Sequence, residues 1–423
     1  MTAPDITLLA ERPVSGGLTL GRHDGMVVLM SGAIPGERVR ARVDRATRQV
    51  IFASTVEVLD PSPHRRVPFC DPACGGLALA HVAYEHQLTL KAAVLADTFQ
   101  RLGKIVLPGP VPVAPSPETG YRLRARLHLS GRRWGFFREG SHTLCDAAPT
   151  GQLSAAAAAA AGALVDWLGA SAAACEAMTL SENVAGTARA AHLESRPGHR
   201  VAPSVPGLPD GITGVTITRR HRLETLAGVP QVYDSAESLC GAGVDLPPAV
   251  GWHRTAASFF QGNRALTGPM LLRVLAQATG ENVVDLYAGV GLFAVALAAR
   301  GAHVIAVEGD PVSGADLDDN ARPWPTLDVR RVAVEAGVAD LGGRSQDAVV
   351  LDPPRTGMSP QALAEVLRLR AQKVVYVSCY PATLARDARA LLAGGYRLGS
   401  IEAFDLFPNT PHIETLCVFD YEG

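Results

Sequence analysis

Lysine is nearly absent from this chain. Of the 39 basic side chains only Lys91, Lys104 and Lys373 are lysines; since alanine, glycine and proline are abundant, the bias reads as one of coding rather than a need for arginine's planar fork. An excess of charge is missing too. The 39 basic residues stand against 41 acidic ones, a formal net charge of -2, so bulk electrostatics do not mark a nucleic-acid binder and only local placement can. The seven cysteines form no dense even framework, and the opening MTAPDITLLA has no charged-then-apolar leader, which points to a reducing compartment, the cytoplasm, and no export. No long hydrophobic run stands out. The alanine tract Ala155 to Ala161 is followed closely by Asp166 and reads as a helix segment too short and too weakly apolar to span a bilayer, so no membrane partner is expected.

What is present suggests two to three domains in 423 residues, more than one core of ordinary size. Residues 1–60 carry short β-type stretches between Gly-rich and Pro-Gly turns and read as a small β-barrel. Its seven basic and seven acidic residues cancel, leaving Arg38, Arg40 and Arg42 alternating on one strand face as an RNA contact or a solvated surface. Residues 61–250 hold a cysteine-containing segment, DPSPHRRVPFCDPACGG, an amphipathic helix in YEHQLTLKAAVLADTFQRLGKI, and a second β-rich region. In YRLRARLHLSGRRWGFFREGS, Arg122, Arg124, Arg126, Arg132, Arg133 and Arg138 face one acid, Glu139. Tyr121, Trp134, Phe136 and Phe137 are interleaved with them, a mixture that grips phosphates and stacks bases. Residues 251–423 alternate apolar strands with helices, the pattern of a doubly wound parallel sheet, with the terminal strand IETLCVFDY expected antiparallel at its edge.

The chemistry concentrates in that last third. Asp285-Leu-Tyr-Ala-Gly289-Val-Gly291 follows a strand and opens a helix, so its glycines permit close backbone approach to a ligand. Glu308 ends the next strand, 23 residues after Asp285, where a carboxylate accepts from a ribose diol. Gly289, Gly291 and Ala294 also satisfy G-x-G-x-x-A, which keeps a nicotinamide dinucleotide open. Asp285 argues against it, since a carboxylate there repels a pyrophosphate yet accepts from the ammonium of an amino-acid moiety, as in S-adenosylmethionine. The third strand ends in LDPPRTGM, with Asp352 at its tip; adenine-amino methyltransferases also place an acid and two prolines there, but follow them with an aromatic residue instead of Arg355. One strand later Cys379 in VVYVSCYPATLARD sits where a nucleophile would stand at the carboxyl edge of the sheet. Carbon 5 of a pyrimidine is a poor nucleophile, and thiolate addition at carbon 6 makes an enolate that can take a methyl group. A base must then remove the carbon 5 proton, for which Glu414 is the candidate, with His412 two residues before it as an orienting or structural residue.

Together SFFQGN, DLYAGVGLF, DPPRTGM, VYVSCYPATLARD and FPNTPHIE resemble the RNA uracil-5 methyltransferase family over nearly the whole chain, most closely its 23S rRNA members. The resemblance implies an α/β fold: a C-terminal Rossmann-like methyltransferase sheet, an N-terminal TRAM-type barrel and a β-rich central domain. It implies S-adenosylmethionine bound by Gln261, Tyr287, Glu308 and Asp352, with Cys379 as nucleophile and Glu414 as proton acceptor. The implied substrate is a uridine of structured RNA, ribosomal rather than the transfer-RNA T-loop, flipped to reach Cys379 of a monomer. Other readings are a cytosine-5 RNA methyltransferase, which generally carries a second cysteine in the acid–proline loop, and a non-catalytic RNA-binding protein. Leu292, Ala288 and Tyr380 depart from the family's asparagine, cysteine and asparagine. Members with a [4Fe–4S] cluster carry four cysteines; here Cys70, Cys74 and Cys145 remain and Leu77 replaces one, leaving a three-thiolate cluster or a degenerate site open. Cys175, Cys240 and Cys417 read as packing residues.

Overall fold

The computed structural model describes residues 5–219, 222–339, 341 and 346–423. The first four residues of the expected barrel module lie outside it. Five strands whose residues alternate inward and outward, Asp5–Val14 (β1), Leu18–His23 (β2), Met26–Ser31 (β3), Arg38–Ala46 (β4) and Val50–Asp60 (β5), close on themselves in the order β1-β2-β3-β5-β4. Leu8, Val28, Met30 and Val39 fill the interior, and closure leaves no free edge. Arg38, Arg40 and Arg42 do share the outer face of β4, but Arg40 is taken by Asp5 and Glu57 and Arg42 lies 3.6 Å from Asp44. That face is a mixed-charge surface. The barrel is tied to the following segment by buried Glu37, which accepts from Arg65 and from the Ile34 and Ser62 N–H groups.

Tyr84–Thr98 (α1) runs into a wider turn over Phe99–Gly103 and buries Leu90, Leu95 and Phe99. After the two-residue strand Val113–Ala114 (β6) comes a seven-stranded sheet built from Arg124–Ser130 (β7), Arg133–Phe137 (β8), Leu144–Asp146 (β9), Cys175–Glu182 (β10), Arg189–Ser195 (β11), Ile212–Arg219 (β12) and Arg222–Gly228 (β13), in the order β13-β12-β11-β10-β7-β8-β9. The alanine tract becomes Ala155–Leu168 (α2), started by Ser154 accepting from the Ala157 N–H. With the 3-10 turns after it, the run Ala155–Ala174 has 20 residues at a mean hydropathy of 1.3 and is long and apolar enough to cross a membrane. The tract alone suggested otherwise, because the apolar stretch extends beyond the alanines. Here Leu164, Val165 and Leu168 pack with Leu127, Met178 and Leu193 of the sheet.

The last part begins with a hairpin-like pair, Gln231–Ser235 (β14) and Gly251–Thr255 (β15), separated by Ala236–Cys240 (α3). Strands and helices then alternate: Thr267–Gln277 (α4), Asn282–Leu286 (β16), Leu292–Ala299 (α5), His303–Val307 (β17), Pro311–Ala321 (α6), Leu327–Arg330 (β18), Val334–Gly337 (α7), Ala348–Leu351 (β19), Pro360–Leu369 (α8), Lys373–Ser378 (β20), Pro381–Ala393 (α9), Tyr396–Phe404 (β21) and Glu414–Tyr421 (β22). The sheet order is β18-β17-β16-β19-β20-β22-β21-β6, with β16 to β20 parallel. Apolar cores on both faces, one around α4 and α5 and one around α8, α9 and α1, account for the uninterrupted apolar strands.

One expectation is corrected. The terminal strand β22 is antiparallel but lies inside the sheet, between β20 and β21, with β6 beyond. An edge strand would have left Glu414 in water. The interior strand is covered on both sides and Glu414 is 4% exposed.

Candidate active site

The carboxyl ends of β16, β17, β19 and β20 open on a cavity of 590 Å³. Its loop after β16 turns through Tyr287 and Gly289 at φ of 61° and 58° and Gly291 at 90°, left-handed geometry that glycine adopts freely and tyrosine holds under strain. Neighbours fix it: Trp252 Nε1 donates to the Gly291 carbonyl at 3.0 Å and Asn320 Nδ2 to that of Val290 at 2.9 Å. Glu308 closes the other wall by accepting from the Gly289 and Asp310 N–H groups at 2.7 and 2.6 Å. Asp310 in turn caps α6 through the Val312 and Ser313 N–H groups. Burial raises the Glu308 carboxyl above its usual range, against the backbone donors. Tyr287, Glu308, Asp352 and Gln261 all line this one cavity, so residues up to 91 positions apart meet, Gln261 Nε2 donating to Asp352 Oδ2 at 2.9 Å.

Asp285 behaves differently from expectation. It is fully buried and does not line the cavity; the Ala294 N–H leans toward its carboxyl without reaching hydrogen-bond geometry. Burial, then the nearby Asp352, hold it well above the carboxylate range.

Cys379 and Glu414 stand side by side because of register. Ser378 of β20 pairs with Thr415 of β22, so the residue after one strand faces the residue that starts the other. Both line the cavity. Burial pushes the Cys379 thiol up to about 11, with Glu414 and Asp352 adding to the rise and Arg355 opposing it. Burial and Asp352 likewise hold the Glu414 carboxyl well above its ordinary value, again opposed by Arg355. Asp352 is raised to about 7, chiefly by burial. His412 does not meet Glu414. Its ring lies 3.3 Å from an Arg355 nitrogen, and burial followed by Arg355 lowers its pKa to about 4, so it is neutral. The loop carrying Arg355 is pinned to α9 by Asp387, which accepts from the Met358 N–H and the Tyr376 hydroxyl. Arg355 and Phe259, the latter 58% exposed at the cavity rim, are among the lining residues that the sequence gave no role.

The arginine-rich segment divides. Arg124, largely buried, lines the same cavity and has no side-chain hydrogen bond or ion pair among the described residues. Arg122 and Arg126 line a neighbouring groove of 260 Å³ with Phe137, Arg355 and His412; Arg126 is held by Glu194 in a two-bonded pair and Arg122 by Gln152. Arg132 pairs with Asp166 and Arg138 with Asp71, while Arg133 is exposed. The expected excess of six cations over one acid is thus corrected, because the fold brings acids from other elements to the segment. Of the two readings left open for Cys70, Cys74 and Cys145, the geometry fits the degenerate site. Cys74 and Cys145 form a disulfide with Cα atoms 5.9 Å apart, and sulfurs so joined offer no thiolates to iron. Cys70 is free, Leu77 is fully buried in packing, and among the described residues no three His, Cys, Asp or Glu are grouped to hold a metal. The cross-link follows from the Gly75 N–H donating to the Phe137 carbonyl, which lays the Cys74 segment beside β8 and β9.

Leu292 and Ala288 are buried in the lining, so the two departures put apolar surface where the cofactor would lie. Against known proteins, the model of the tRNA (uracil-5-)-methyltransferase family matches residues 328–420. The 23S rRNA (uracil(1939)-C(5))-methyltransferase RlmD of Aeromonas salmonicida is 30% identical over 95% of this chain and 93% of its own. The protein of that name from Pseudomonas putida is 32% identical over 97% and 92%. Among solved structures, the tRNA (uracil-54, C5)-methyltransferase of Pyrococcus abyssi in complex with S-adenosyl-L-homocysteine has the same fold, with a TM-score of 0.73 at 22% identity over 97% of this chain and 99% of that one.

Proposed function

The chain belongs to the RNA uracil-5 methyltransferase family, and from that premise we propose that it methylates carbon 5 of a uridine in 23S ribosomal RNA through a covalent bond to Cys379. The observation that carries this reading is the adjacency of Cys379 and Glu414 at the ends of paired strands, facing one cavity. The ribosomal substrate is supported by the near-complete coverage of the 23S rRNA relatives. S-adenosylmethionine fits the lining: Glu308 keeps lone pairs for a ribose diol after accepting two backbone donors, and a Cβ at Gly289 would meet nothing within 4 Å, so the loop leaves room. When bound, that cofactor supplies a methyl group on a cationic sulfonium.

Cys379, its thiol proton released to solvent, adds to carbon 6 as thiolate, and the ring electrons move to the carbon 4 oxygen as an enolate. Arg355, which lowers the thiol's pKa, favours this step. Carbon 5 then takes the methyl group and still holds its proton. Glu414 removes it, the carbon 5 to carbon 6 double bond re-forms, and the thiolate leaves. Glu414 takes that proton in its ionised form, and a carboxylate whose pKa is held above its ordinary value is then a stronger base than an exposed glutamate. Arg124, unpaired in the cavity, is suited to hold an oxygen of the target nucleotide.

RNA carrying 5-fluorouridine tests the reading, since no base can remove fluorine as a cation. Wild-type enzyme with S-adenosylmethionine should stall as a denaturant-stable adduct whose RNA-bearing peptide contains Cys379, and Cys379→Ala should form none. Methylation retained by Cys379→Ala, or an adduct mapped to another cysteine, would overturn it.

A further inference from the structure

Cys379 stands in a wall shared by two cavities. One is the 590 Å³ chamber already described. The other, of 380 Å³, has none of its carboxylates in the lining and is bounded by the β1–β2 turn of the barrel, by α1, by Tyr380 and Pro381 after the nucleophile, and by residues 411–413 before β22. The walls are largely apolar, with Val14, Leu18, Leu90 and Val94 among them. Two basic side chains line it, and neither offers a free charge. Lys91 is buried with its ammonium on Asp405 and the Phe407 carbonyl, and His412 is neutral. A phosphate therefore finds no counter-ion there, whereas an uncharged planar group does fit a space in the range of small-ligand sites, about 300–1,000 Å³.

We propose that this second cavity receives the base of the nucleotide adjoining the target uridine in the same RNA strand. The inference rests on Cys379 being the nucleophile. With uracil carbon 6 at that sulfur, the neighbouring nucleotide is covalently held beside a cavity that Cys379 also lines. An unstacked base is bare on both faces, and apolar walls cover it again. Tyr380, 41% exposed and in the lining beside Cys379, offers its ring to the incoming base; it is the residue that departs from the family pattern. The barrel thus contributes to choosing the site of modification, through the Val14 to Leu18 turn.

The test uses RNA hairpins with one 5-fluorouridine and randomised flanking loop nucleotides, trapped by wild-type protein, Leu18→Trp and Val94→Trp with S-adenosylmethionine and then sequenced. A matched series carries an abasic residue on either side of the fluorouridine. Wild type should show a base preference on one side, and an abasic residue there should slow trapping about tenfold, in keeping with the stacking worth of one base. The two filled variants, which approach from different walls, should bind S-adenosylmethionine normally and lose that preference while keeping those at other positions. Abasic residues on both sides without effect on wild type would overturn the proposal whatever the variants do. So would filled variants with the wild-type preference, which would make the cavity a void. No adduct with wild type would instead overturn the nucleophile reading, and this proposal with it.

Discussion

Gln261 Nε2 donates to Asp352 Oδ2 at 2.9 Å, joining the segment before α4 to the residue that follows β19. The bond matters because Asp352 is half-buried in the cavity wall: burial raises its pKa to about 7, Gln261 pulls it down and Glu308 pushes it up. Removing the donor by Gln261→Leu should raise it further. Hydrogen bonds to charged groups are worth about 1.5–3 kcal/mol, so S-adenosylmethionine affinity at pH 7 should fall about tenfold or more, and the pH dependence of binding should move upward. Calorimetric titration from pH 6 to 9 reads both. An unmoved profile would remove Gln261 from control of Asp352.

Glu414 sets a stability dependence of definite sign. Its folded pKa lies well above the ordinary 4.5, so above that value the unfolded chain ionises while the folded carboxyl keeps its proton. Stability is therefore lost as pH rises from the unfolded value toward the folded one. Glu414→Gln should be more stable than wild type at pH 8 and equal to it at pH 4, measured by urea unfolding. The same variant should accumulate the covalent RNA complex with ordinary uridine, because attack and methyl transfer precede the missing step.

The arginines of the central sheet should separate into two kinds. Arg132→Ala with Arg133→Ala should weaken RNA binding across sequences and reduce the salt slope by about one, for the phosphate that exposed Arg133 no longer neutralises, Arg132 being paired with Asp166. S-adenosylmethionine affinity should be spared. Arg124→Ala removes an unpaired group from the cavity that Cys379 and Glu414 also line and should lower kcat/KM with a smaller change in salt slope. Equal behaviour of the two variants in filter binding and single-turnover assays would deny Arg124 its place at the target nucleotide.

Protein unfolded without reductant should titrate five thiols, and seven after reduction, since Cys74 and Cys145 are joined and five cysteines are free. Protein purified without oxygen should contain no stoichiometric iron. Bound iron and sulfide lost on Cys74→Ser would show that these sulfurs serve a cluster instead.

The sequence by itself determined the fold class and the local geometry of each motif. Alternating apolar strands and helices, the glycine loop after β16, Glu308 at the end of β17 and Asp352 at the end of β19 are short-range patterns, set by backbone sterics and burial period, and they appear where the spacing put them. The family resemblance added Gln261 and Glu414, which no local pattern singles out. Tertiary structure decided what depends on distant partners. Whether Glu414 faces water or Cys379 rests on β22 entering the sheet's interior, a choice among pairings that the strand's own residues do not encode. Asp166, Glu194 and Asp71 neutralise arginines remote from them in sequence, so a count along the segment overstated its charge. Cys74 reaches Cys145 across 71 residues only because a backbone hydrogen bond lays one segment along the other. Coulombic and covalent partners act over a few ångströms of space, and only the folded chain sets which residues lie within that range.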